Sequence, residues 1–186
     1  MPTYGFSLIF FTDNYISTFT PLTLRITITC ITFVFTFILP AINALILLKT
    51  GRINSLQMET RKERVLPYFS TALYFFALFY LFHTARFPAF LNIIILAAGI
   101  SILIGLLINF KWKISAHSIA IGGIIGAVMG ISRRLMIDFH LILMILLLCA
   151  GFVGFARLKL NAHSPAQVYA GYLLGFLVEF LLMIFY

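Results

Sequence analysis

Six nearly unbroken apolar runs decide what this chain can become. Each is about twenty residues long, the length that carries an α-helix across the hydrocarbon core of a bilayer. They cover roughly 22–48, 65–84, 88–109, 115–132, 138–156 and 166–186. None alternates polar and apolar residues with a period of two, which excludes a β-barrel. Backbone in lipid must satisfy its own N–H and C=O groups, and a helix does so within one segment. The predicted fold class is therefore an all-α polytopic membrane protein with six transmembrane helices, forming one domain over 22–186. Pro40 falls inside the first run as a candidate kink. Residues 1–21 stand apart: Phe6, Leu8, Ile9, Phe10 and Phe11 are followed by Asp13 and Asn14, too short and broken a run to span. They read as an N-terminal interfacial segment against the headgroups, with a disordered tail as the alternative. The segment lacks the basic lead and cleavage site of a secretory signal.

Charge is scarce and unevenly placed. Charged residues make up 10% of the chain and hydrophobic ones 62%, whereas soluble domains are near a quarter charged. The net charge of +8 resides in short joints between spans, a pattern that fits headgroups, orientation signals or phosphate substrates and not nucleic acid. Six crossings put joints 49–64, 110–114 and 157–165 on one face, and nine of the thirteen Lys and Arg residues lie there. Cys30 and Cys149 both fall within apolar runs, so no disulfide framework is expected.

Glycines mark two of the spans. Gly126-x-x-x-Gly130 and Gly171-x-x-x-Gly175 have the small-xxx-small spacing that lets helix backbones approach in lipid. Close packing of spans four and six would bring their starting turns together. At the start of span six, Ser164, Pro165 and Gln167 form a capping box with proline at the first helical position. That explains those three residues but not Arg157 and His163 before them. At the start of span four, Lys113, Ser115 and His117 again put cations, serine and histidine beside a helix N-terminus, where anions are favoured. Arg64 follows Arg61, Lys62 and Glu63 in the first basic joint. It reads either as part of an orientation signal or as a planar fork turned toward phosphate.

These residues resemble the type 2 phosphatidic acid phosphatase (PAP2) family, in the superfamily shared with vanadium haloperoxidases. Ala156-Arg157, five residues, His163, three residues, then Gln167 resembles its third block, and Val168-x-x-Gly171-x-x-x-Gly175 fits its continuation. Ser115-Ala116-His117 resembles the second block, with Ile114 for proline and Ala116 for glycine. In the first block Pro67 rather than residue 65 is the proline after Arg64, and Gln57 occupies the place of lysine. The resemblance covers about 61–175 and implies a PAP2-like helical bundle. It also implies a phosphoric monoester hydrolase that acts on a lipid phosphate or pyrophosphate without metal or other cofactor. His163 would be the nucleophile and His117 the acid and base, while Arg64, Arg157, Ser115 and Lys113 would hold the phosphoryl oxygens. Gln167 takes the place of the family's aspartate and would orient His163 without adding negative charge.

Other readings stay open. A catalytically weak or inactive relative would keep the anion site and bind lipid headgroups or a partner protein. Glu179, a carboxyl deep in an apolar run, admits a small transporter or channel, or simply a neutral acid bonded to another span. Glu63 is an alternative carboxylate for the nucleophile. Arg133, Arg134, Asp138 and His140 read as a solvated loop on the far face, and the four histidines lack zinc-ligand spacing. The expected location is a bacterial inner (plasma) membrane. The positive-inside rule points the basic face to the cytoplasm and the family resemblance points it outward. Oligomeric state and the particular lipid stay open.

Overall fold

The computed structural model describes residues 2–58 and 60–186. Helices α1 (Pro2–Phe11) and α2 (Tyr15–Phe19) precede a long first span built from α3 (Leu22–Phe33), a π-turn (Val34–Ile38) and α4 (Leu39–Lys49). Helices α5 (Val65–Thr84), α6 (Ala89–Lys111), α7 (Ala116–Leu135), α8 (His140–Lys159) and α9 (Pro165–Phe185) complete the bundle. Six helical segments of 20 to 28 residues are long and apolar enough to cross a membrane, as the sequence predicts. The protein is an all-α polytopic membrane protein.

Proline explains the irregular first span. Pro40 has no N–H to offer the Thr36 carbonyl one turn earlier, and the Leu39 N–H instead closes a wider ring onto the Val34 carbonyl. The result is a π-turn between α3 and α4.

Helix α7 is the centre of the bundle and α9 lies along it, parallel, through glycines on both helices. A Cβ on Gly126 would lie 2.5 Å from the Phe176 carbonyl oxygen, and one on Gly171 would lie 2.9 Å from that of Ser115. Such contact leaves no room for any side chain. Helix α8 is the most lipid-exposed span, with Leu147, Leu148 and Phe152 facing outward. Both cysteines are free and exposed on the apolar exterior.

The N-terminal segment, expected at the interface, packs against the other helices. In α1, Phe6, Ile9 and Phe10 are almost fully buried. Phe6 stacks on Phe82 with ring centroids 6.3 Å apart. Arg25 donates to the Phe10 carbonyl at 2.9 Å, and Thr3 meets Thr36 at 3.0 Å. Helix α1 thus runs antiparallel to α3, from mid-span toward the Arg25 face. Ten residues with no charged side chain can be buried there, although they are too few to cross.

Candidate functional site

The three basic joints are tied together by hydrogen bonds. Asn109 Nδ2 donates to the Arg61 carbonyl at 2.9 Å, and Arg61 donates back to the Lys111 carbonyl. Arg64 donates through Nε to the Met58 carbonyl at 2.9 Å and through Nη1 to the Ile114 carbonyl at 3.3 Å. The Ser115 N–H meets the Gln167 carbonyl at 3.5 Å. Arg64 is therefore turned inward and buried, its guanidinium plane pinned at two nitrogens, and not extended into solvent as an orientation signal would be.

Local turn geometry accounts for the spacing of Arg157 and His163. Helix α8 ends in a Schellman motif: the Ala162 N–H donates to the Arg157 carbonyl at 3.1 Å and the Asn161 N–H to that of Leu158 at 2.9 Å. Asn161 takes the left-handed conformation, φ 49°, which asparagine tolerates better than most residues. Three residues later Ser164 begins α9 as its N-cap. Arg157, in the last turn of one helix, and His163, just before the next, are thus folded back on each other. Arg157 keeps its Nε buried with no hydrogen-bond partner among the described residues, although a guanidinium is among the costliest groups to leave unpaired.

Gln167 links helix start and imidazole. The Ser164 N–H donates to Gln167 Oε1 at 3.2 Å, and the Gln167 N–H donates to Ser164 Oγ at 3.4 Å, completing the expected capping box. Because a main-chain N–H faces it, the atom at this position must be the amide oxygen. The same Oε1 lies 3.1 Å from His163 Nδ1, so Nδ1 carries the proton and donates. That leaves the Nε2 lone pair free. Burial holds the His163 pKa down at about 4; the Gln167 bond opposes this, and the charges of Arg64, Lys113 and Arg157 add to the lowering.

The same two arginines act electrostatically on His117, on the first turn of α7. Arg64 and Arg157 thus lie within range of both histidines. Ser115 is different. Its side chain is fully buried, accepts from the Ser118 N–H at 3.3 Å and shares a hydrogen bond with Ser118 Oγ at 2.9 Å. Its hydroxyl starts α7 and positions His117. Glu63 accepts from Asn54 and Thr60, holding the loop before α5, and is not the partner of His163. Thr60 and Arg61, which sequence reasoning left outside the site, line a cleft of about 470 Å³ with Lys111, Trp112, Lys113 and Gln167. Their signal was only the abundance of cations in the first joint.

On the far face, Asp138 accepts from the His140 main chain, which holds its carboxyl below the usual range, and its side chain meets the His140 ring in solvent. Arg134 donates to the Met183 and Ile184 carbonyls, closing the C-terminal end of α9. No family model, curated protein or solved structure matches the chain.

A pH titration tests the geometry at His163. Its folded pKa, about 4, lies below the ordinary histidine value of about 6.5. The unfolded chain thus binds more protons between these values, and His163 weakens the fold as pH falls through that window. Imidazole ¹⁵N NMR in detergent should find His163 neutral and Nδ1-protonated at pH 6, becoming cationic only near 4. Gln167→Ala should release the tautomer. Titration at the ordinary value would refute this account.

Proposed function

We propose that this protein is a lipid phosphatase-like hydrolase of the bacterial inner (plasma) membrane, acting on a lipid phosphate or pyrophosphate through a phospho-histidine. The observation that carries the reading is the Ser164–Gln167–His163 arrangement, which presents a neutral imidazole with a fixed tautomer among three cations. Phosphoryl transfer chiefly requires positioning and stabilisation of charge on the equatorial oxygens. Arg157, Arg64 and Lys113 supply positive charge around His163, and the unpartnered Arg157 Nε is a donor that an anion would satisfy.

In the first step His163 Nε2 bonds to phosphorus while the bond from phosphorus to the lipid oxygen breaks, and His117 gives that oxygen a proton. His117 then takes a proton from water as the water oxygen attacks phosphorus. The P–N bond breaks and inorganic phosphate leaves. Gln167 holds the Nδ1 proton throughout but does not offset the charge that the ring develops. This neutrality favours a second reading, a slow or inactive relative that binds the anionic headgroup.

Phosphate release separates the two. Purified protein in detergent, without added metal, should release phosphate from phosphatidate or a polyprenyl phosphate. Gln167→Asp should raise the rate by about tenfold or more, since a carboxylate beside a catalytic imidazole stabilises the positive charge the ring develops. If neither protein releases phosphate from a broad lipid panel, the hydrolase reading fails and headgroup binding remains.

A further inference from the structure

Beneath His117 the bundle encloses a second space of about 550 Å³, within the range of small-molecule sites. It begins beside Met58, Tyr68 and Ala116, at the level of the phosphate residues, and descends between the first span and helices α5, α6 and α7. Phe37 of the π-turn and Pro40 stand on its wall, and small residues such as Ala41, Ala44, Ala98, Ala120 and Gly123 leave it room. Its walls are mostly apolar, with Tyr68 and His117 toward the phosphate residues, Thr36 and Thr71 on the sides, and Ser101 and Glu179 the two polar groups taken up below. Glu179 is 4% exposed and Ser101 is 3% exposed. Both line the space, and among the described residues Glu179 Oε2 and Ser101 Oγ have no hydrogen-bond partner. With Tyr68 Oη nearer the phosphate residues, three such atoms line one cavity and carry a desolvation cost that ligand groups could relieve.

We infer that this cavity takes the chain of an anionic amphiphile, and that Glu179 and Ser101 form a polar floor for a hydroxyl or carbonyl group carried within that chain. The headgroup end of this inference rests on the proposed phosphate site; the floor rests on its own two orphaned groups. Their depth sets the position of the recognised group. The Glu179 side chain lies level with Gly123, 3.4 Å from where a Cβ on that residue would stand. Gly123 is six residues beyond His117 on α7. That is a descent of about 9 Å along the helix. A plain hydrocarbon chain would fill the walls and leave both atoms unpaired.

The test compares two non-hydrolysable probes, dodecylphosphonate and an analogue with one hydroxyl about 9 Å along the chain from phosphorus. Affinities for the detergent-purified protein are measured by calorimetry. The hydroxyl analogue should bind the wild type about tenfold more tightly, the effect of one well-made buried hydrogen bond. Glu179→Leu should erase that preference while leaving dodecylphosphonate affinity unchanged within a few-fold. Glu179→Gln, which keeps both a donor and an acceptor, should retain it, and Ser101→Ala should reduce it. Equal affinity of the two probes for wild type overturns the inference, as does a preference that survives Glu179→Leu. Failure of both probes to bind overturns it too. Should the phosphonates bind as expected while phosphate esters are never cleaved, the hydrolase reading falls and the cavity assignment stands.

Discussion

Replacing His163 with alanine should lower phosphate release from a lipid monophosphate by about 10⁴-fold or more, the scale seen when a covalent catalyst loses its nucleophile. The loss must come from chemistry and not from a collapsed site. Binding of an alkylphosphonate should therefore persist in the variant within a few-fold, because the arginines that would hold the anion belong to other elements. Arg157 lies on α8 and Arg64 precedes α5, pinned by the Met58 and Ile114 carbonyls. A second variant gives a signature that a structural role would not produce. With His117→Ala and an aryl phosphate, whose leaving group needs no proton, the first step leaves a phosphorylated His163 that no base helps water to attack, so an acid-labile, alkali-stable phospho-enzyme should accumulate and map to His163. Full activity of His163→Ala would end the covalent mechanism. Absence of the trapped species alongside intact turnover in His117→Ala would remove that residue from it.

The second large effect lies in the helix pair and not in the chemistry. Gly175→Ala should destabilise the protein by about 3 kcal/mol or more, because overpacking at a backbone contact cannot be relieved by a rotamer change. A Cβ at that position would run into the Ile119 carbonyl and stand 2.7 Å from the Gly123 nitrogen, with only main chain to push against. Forcing α9 from α7 would also separate the two starting turns, where the Ser115 N–H meets the Gln167 carbonyl. Stability and anion binding should thus fail together. Gly151→Ala is the control: nothing stands within 4 Å of its Cβ, and alanine is the better helix former. Thermal unfolding in detergent should move down strongly for Gly175→Ala and little for Gly151→Ala. Equal midpoints for the two would contradict the parallel α7–α9 contact.

Much of the site was legible one segment at a time. The capping box at Ser164 and Gln167 has a local cause, since its partners are three residues apart, and it forms as predicted. The serine start of α7 is local in the same way. The role of Ser115 was less legible: a hydroxyl beside a helix start can face a ligand or its own helix, and here it is taken up by Ser118. Arg64 had two equal readings for a similar reason. A cation near a span looks the same in sequence whether it turns to water or to the carbonyl of a residue fifty positions away. The burial of α1 was hidden because an apolar run of ten residues suits an interface or a core equally.

By itself the sequence determined the six helical spans, their parity and the glycine seams, because hydropathy length and small-residue spacing act within single segments or between helix faces of known period. Tertiary structure decided what those segments enclose. The convergence of His163, Arg157 and Arg64 depends on contacts across the bundle, as does the cavity beneath His117. So does the place of Glu179, whose sequence neighbours could not reveal that its side chain would lie beside Gly123 of α7 and line that cavity. A void is shaped by where distant backbones stop approaching one another, and no local pattern of residues records that distance.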